Sequence, residues 1–238
     1  MARPGGVLSR AGHTEAGCDL ARLAGQEPAA VIVEILNEDG TMARRPELEA
    51  FAERHGLKMG TIADLIQYRL QHERTIERVA HCALPTEYGD FTLFAFRDKL
   101  EDEVHFALVK GDIAEDDEVL VRVHIRDDVT DLLGANRAGV SLPVRQAMAR
   151  VAEEKSGVIV ILRKSEPTAE LIRRLRAYQL EDQGGGSAPA LEPRPELRSY
   201  GLGAQILYDL GVRRMRLLGS RRRVHALSGF GMEVVDYV

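Results

Sequence analysis

The chain has 238 residues, of which 45% are hydrophobic, with a net charge of −5 and a pI near 5.9. That is enough apolar material for one or two cores, and the acidic balance leaves no electrostatic case for nucleic acid. No apolar run approaches a membrane span, and two distant cysteines, Cys18 and Cys82, argue against a disulfide framework and a four-cysteine zinc site.

The first element is a helix over 14–24, with Ala16, Leu20, Leu23 and Ala24 in helical spacing. It follows a short apolar run, Val7-Leu8, and the hexapeptide Arg10-Ala11-Gly12-His13-Thr14-Glu15. Gly12 allows a tight turn and Thr14 suits a helix cap. A helix start offers free N–H groups and a partial positive charge, which suit a phosphate or carboxylate. Arg10 adds a fork of donors, and His13 adds a ring nitrogen for a metal or a proton. Taken alone, the hexapeptide better describes a capped helix with a surface arginine and a hydrogen-bonded histidine.

Residues 30–36 form a nearly continuous apolar run and predict a buried strand. Glu34 inside it would sit in a low-dielectric place, where a carboxyl rises towards the range of a general acid or base. The segment from Asn37 to Met42 reads as a turn. Helices are expected at 46–55, with Pro46 in the first turn and His55-Gly56 at the end, and at 61–72, with Ile62, Leu65, Ile66 and Leu70 on one face.

The strings GGVLSRAGHTEAGCDLARLAG (5–25), VIVEILNEDGTMAR (31–44) and LEAFAERHGLKMGTIADLIQYRL (48–70) resemble the C-terminal part of 3,4-dihydroxy-2-butanone 4-phosphate synthase. That enzyme of riboflavin biosynthesis is a magnesium-dependent lyase that converts D-ribulose 5-phosphate to the butanone phosphate and formate. The resemblance implies a substrate-holding segment over Arg10, Ala11, Gly12, His13 and Thr14. It places His13 at the family's histidine ligand to magnesium (or manganese), and Glu34 at its essential acid/base carboxylate. It also implies a homodimer; a cytoplasmic protein is the expectation from the lack of a signal-peptide apolar core and of any run of membrane-spanning length. The family's acidic loop, with the other metal ligand and a second catalytic carboxylate, precedes the matched region. The expectation is therefore a truncated gene model, a fragment or a degenerate paralogue, inactive alone.

Beyond about residue 73 the pattern changes to strands, at 92–96, 104–109 and 119–124. A helix at 142–154, a strand at 157–162, helices at 168–181 and 197–210, and strands at 213–218 and 232–237 follow. Residues 182–195 are a Gly/Pro-rich connector. The alternation predicts an α/β (or α+β) fold, with domains 1–72 and 73–238. The acidic run from Asp112 to Glu118 lacks calcium-loop spacing and reads as a solvated turn. His81 and Cys82 read as strand residues, and Arg221 to Arg223 as a charged surface.

Pro85-Thr86-Glu87-Tyr88-Gly89-Asp90-Phe91, Val121-Arg122-Val123-His124, Leu175 to Leu180 and Arg198 to Gly211 resemble GTP cyclohydrolase II, an enzyme often fused behind the synthase. That family holds a catalytic zinc through three cysteines. Residues 125–141 contain none: Asp127 stands near the first ligand position, and Ala138 and Val140 near the others. Leu162 to Pro167 replaces the triphosphate loop, where Pro167 lacks an N–H and Glu166 repels phosphate. Arg198 matches the family's nucleophilic arginine, and Glu196 stands where its aspartate base would be. The expectation is a degenerate module without zinc.

Overall fold

The computed structural model describes residues 1–114, 116–137, 142–164, 166–184, 197–219 and 231–238, with backbone alone at 197, 198 and 200. The polypeptide divides into two compact units, Met1–Glu73 and Arg74–Val238.

In the first unit a short 3-10 turn, Gly6–Leu8, precedes helices α1 (His13–Leu23), α2 (Arg45–His55) and α3 (Ile62–His72). Pro46 lies in the first turn of α2, and Gly56 ends it in the left-handed conformation, φ 61°. Thr61 caps α3 by accepting from the Asp64 N–H at 3.1 Å. Val7, Leu8, Ile66 and Leu70 are buried.

The strand expected at 30–36 is not there. Residues 31–35 carry no strand pairing, and Leu36 makes an isolated antiparallel bridge with Met42. Val31 is 99% exposed and Val33 86%. A strand has no internal hydrogen bonds and persists only beside a neighbour. Among the described residues of this unit, that neighbour amounts to the one bridge. The turn after it does form: the Gly40 N–H donates to the Asn37 carbonyl at 2.9 Å, and the Thr41 N–H to the Asp39 carboxylate at 2.9 Å.

The second unit is α/β. Its seven strands are β1 (Ile76–Thr86), β2 (Gly89–Asp98), β3 (Glu103–Lys110), β4 (Glu118–Ile125), β5 (Gly157–Leu162), β6 (Arg214–Leu217) and β7 (Glu233–Tyr237). They form one sheet in the order β1-β2-β3-β5-β4-β6-β7. β1, β2, β3 and β5 pair antiparallel, while β4 lies parallel to β5 and β6, and β6 parallel to β7. Among the described residues its helices are α4 (Asp128–Asp131), α5 (Val144–Ala152), α6 (Thr168–Asp182) and α7 (Leu197–Asp209).

Strand alternation distributes the core. Val119, Val121, Val158 and Val160 join Phe96, Ile206 and Leu207 on one face. Leu120 and Ile159 join Leu108, Ala147 and Val151 on the other. Helix α7 therefore covers one face and α5 the opposite one, which makes the central strands apolar on both sides. The short helix α4 has no apolar periodicity to announce it; Asp127 creates it by accepting from the Val129 and Thr130 N–H groups.

Candidate functional site

The first unit's site is built on the start of α1. Helix α1 begins at His13, with Gly12 as the capping residue and no side-chain cap. Thr14 is therefore inside the helix and not the cap that its residue type suggests. Gly12 is extended, φ −123°; the chain does turn tightly here, its N–H donating to the Arg10 carbonyl at 2.8 Å, but the turn is centred on Ala11 and needs no glycine conformation. The glycine is needed for space instead: a Cβ there would sit 2.5 Å from Glu15 Oε2.

Glu15 is fully buried. Its Oε1 accepts from Arg10 Nη2 at 2.6 Å and from the Arg3 N–H at 2.9 Å. The Arg10 hydrogen bond, with the Arg3 amide behind it, holds the Glu15 carboxyl down to about 2. Arg10 keeps 47% of its side chain exposed, Ala11 and His13 are exposed, and Thr14 is half-buried. One turn along, Asp19 accepts from the Val7 N–H at 2.8 Å and from Arg69 Nη1 at 2.9 Å. Arg69 also donates to the Gly5 carbonyl at 2.7 Å and grips Glu73 through two bonds, while Arg22 reaches Glu73 at 2.6 Å. Gly6, at φ 60°, lies against the Asp19 carboxylate, where any Cβ would collide. This buried ion network fixes the segment leading into Arg10.

Glu34 is exposed. Its expected burial fails with the strand that was to carry it. The segment before it does approach α1: a Cβ at Gly17 would meet Ala30 Cβ at 2.8 Å and Ile32 Cγ2 at 3.6 Å. Gly17 is four residues from His13, on the same helix face. The chain carrying Glu34 thus crosses the face that carries His13. Glu15 closes the hexapeptide but carries no role in the sequence reading, and Asp19 and Arg69 do not stand out there. Glu15 and Asp19 sit four apart on α1, and their spacing was the available signal.

In the second unit, Asp127 lies at the end of β4. Arg174 of α6 donates to it from Nη1 at 2.5 Å and Nη2 at 3.0 Å, and to Glu166 at 2.8 Å. Burial works to raise the Asp127 pKa, but the Arg174 hydrogen bond and charge outweigh it and leave the carboxyl below its usual value. Glu166 is pushed up, first by burial. His124, 1% exposed, bonds Asp131 at 2.7 Å through Nε2. His81 and Cys82 lie in β1, and Cys82 is a free thiol. In the acidic turn the Ala114 N–H donates to Asp117. Ala138, Val140, Glu196, the Arg198 side chain, Arg221 to Arg223 and most of the 182–195 connector lie outside the described residues.

Together these features define a helix start flanked by Arg10, His13 and Thr14 in one unit and, among the described residues, a mixed α/β sheet module in the other. The GTP cyclohydrolase II family matches residues 77–238, and 3,4-dihydroxy-2-butanone 4-phosphate synthase matches residues 1–68. The chain belongs to the GTP cyclohydrolase II family, with a synthase-like stretch ahead of that match. A 3,4-dihydroxy-2-butanone 4-phosphate synthase of Photobacterium phosphoreum is 52% identical over all of this chain and 64% of its own length. The riboflavin biosynthesis protein RibBA of Aquifex aeolicus is 48% identical over all of this chain and 60% of its own. The crystal structure of RibBX, a two-domain 3,4-dihydroxy-2-butanone 4-phosphate synthase from A. baumannii, covers the whole chain with a TM-score of 0.75 at 48% identity. The chain covers 62% of that structure. The present chain thus spans less than two thirds of these relatives.

The residues do not fit the zinc that the cyclohydrolase family implies. Asp127 is committed to Arg174 and to the start of α4, and the other two positions are alanine and valine. Among the described residues no group of three or more His, Cys, Asp or Glu could hold a metal. No step is derived through zinc.

Proposed function

We propose that the chain serves riboflavin biosynthesis. Residues 1–73 are the C-terminal part of a 3,4-dihydroxy-2-butanone 4-phosphate synthase pocket for D-ribulose 5-phosphate. Residues 74–238 are a degenerate GTP cyclohydrolase II-like module. The observation that carries the reading is the start of α1. There a half-exposed Arg10 side chain, a half-buried Thr14 and an exposed His13 stand at a helix start that has no side-chain cap. Arg10 and Thr14 hold the phosphorylated sugar, and Glu34 moves the proton.

Magnesium, or manganese, is the metal this reading calls for, and when bound it polarises the sugar carbonyl. His13 would be its ligand. One imidazole does not make a site for a cation that prefers carboxylates and water, so the described residues alone do not fit it. No step is routed through it. The exposed run 31–36 has the apolar character of a strand awaiting a sheet, which fits a pocket completed by more polypeptide.

The test is formate release from D-ribulose 5-phosphate. The chain alone gives none. Joined behind the upstream acidic segment of the synthase family it gives formate, and Glu34→Gln abolishes it. Absence of formate from the joined protein overturns the reading. For the second unit, the Arg174–Asp127–Glu166 cluster favours a structural or regulatory role within a homodimer. Deleting residues 74–238 from the joined protein changes its oligomeric state or turnover; no change in either overturns that role.

A further inference from the structure

We propose that Glu15 is a positioning residue, whose buried carboxylate sets the orientation in which Arg10 meets a phosphorylated sugar. This deepens, and rests on, the reading of Arg10–Thr14 as the substrate segment. Arg10 is half in water, where an arginine side chain samples many rotamers. The 2.6 Å ion pair to a fully buried partner removes that freedom before any ligand arrives. Among the described residues this is the one ion pair Arg10 makes, and it uses one of five N–H donors. The rest of the fork stays available to a phosphate.

The same carboxylate fixes the other end of the segment. Its second oxygen, Oε2, is buried with no hydrogen-bond partner among the described residues, and it fills the space a Cβ at Gly12 would occupy. A buried carboxylate oxygen without a donor is costly, so the position is held by its other bonds: Arg10 on one side and the Arg3 N–H on the other. Glu15 therefore ties Arg10, Gly12 and the chain before them into one geometry. Its charge is paired with Arg10. It touches no substrate; it acts through Arg10.

The experiment is calorimetric binding of D-ribulose 5-phosphate to the full chain: wild type, Glu15→Gln, Arg10→Ala and the double variant. Loss of one charge-assisted contact predicts binding about tenfold weaker in Glu15→Gln. In the Arg10→Ala background the same change adds no further loss, a result that a merely structural role would not produce. Binding by Glu15→Gln equal to wild type, or losses that simply add, overturns the proposal. If Glu15→Gln does not fold, Gly12→Ala presses on Oε2 without changing charge. It is expected to weaken binding, and unaltered binding overturns the proposal. Failure of wild type to bind instead rejects the substrate segment itself, and Glu15 falls with it.

Discussion

Arg69→Met removes a guanidinium that is 5% exposed while keeping most of its apolar stem. Asp19, whose side chain is 6% exposed, then loses its 2.9 Å partner and keeps only the Val7 N–H and a distant Arg22 at 3.9 Å. Breaking a buried pair from one side costs about 3–5 kcal/mol, because the remaining charge stays buried and uncompensated. The Gly5 carbonyl also loses its donor, worth about another 1 kcal/mol. Glu73 is affected less, since Arg22 still reaches it at 2.6 Å. With roughly 1.4 kcal/mol per decade, a 3 kcal/mol loss speeds opening-limited amide exchange by about 150-fold. Hydrogen exchange at the Val7 amide and along α1 reads this without requiring the whole chain to unfold as one unit. Asp19→Asn added to Arg69→Met removes the stranded charge and recovers part of the loss. A change below about 1 kcal/mol in Arg69→Met, or no recovery in the double variant, refutes the claim that this network holds the segment before Arg10.

Asp127 is held below its ordinary value in the fold, so its contribution to stability is complete above the usual carboxylate pKa and disappears as pH falls below it. Acid unfolding of the second unit should therefore be shallower in Asp127→Asn, and an unaltered profile would count against the Arg174 contact. A strong zinc chelator should leave the melting temperature of the purified chain unchanged; a drop together with stoichiometric zinc by mass spectrometry would contradict the donor argument. Val33→Ser should change stability by less than about 0.5 kcal/mol, because the side chain is already in water. A loss of 2 kcal/mol or more, as expected for a core valine, would show that residues 31–36 are buried after all.

Much of the second unit was legible from periodicity. The strand read at 157–162 is β5 residue for residue, and the helix read at 168–181 is α6 but for one terminal position. Buried parallel strands and flanking amphipathic helices carry their pattern locally. What failed was whatever depends on a partner distant in sequence. The run at 31–36 has strand composition, but composition supplies no neighbour to bond with, and among the described residues the neighbour amounts to the Leu36–Met42 bridge. Gly12 and Thr14 were assigned by residue type to a turn and a cap. The turn centres on Ala11 and the capping position falls to Gly12, with Thr14 inside the helix and Glu15 filling the space a Cβ at Gly12 would need. Arg69 lies 50 residues from Asp19, and no local rule connects an arginine on one helix with a carboxylate on another. Asp127 stood out in the sequence as a substituted ligand position; that Arg174 would occupy it required the fold.

The most direct measurement is a nitrogen-15 chemical-shift titration of the full chain with D-ribulose 5-phosphate. The account predicts that the amides of residues 10–15 move saturably, joined by those near Glu34, while those around Asp127 and Arg174 stay still. Shifts confined to the second unit, or none at all, would contradict it.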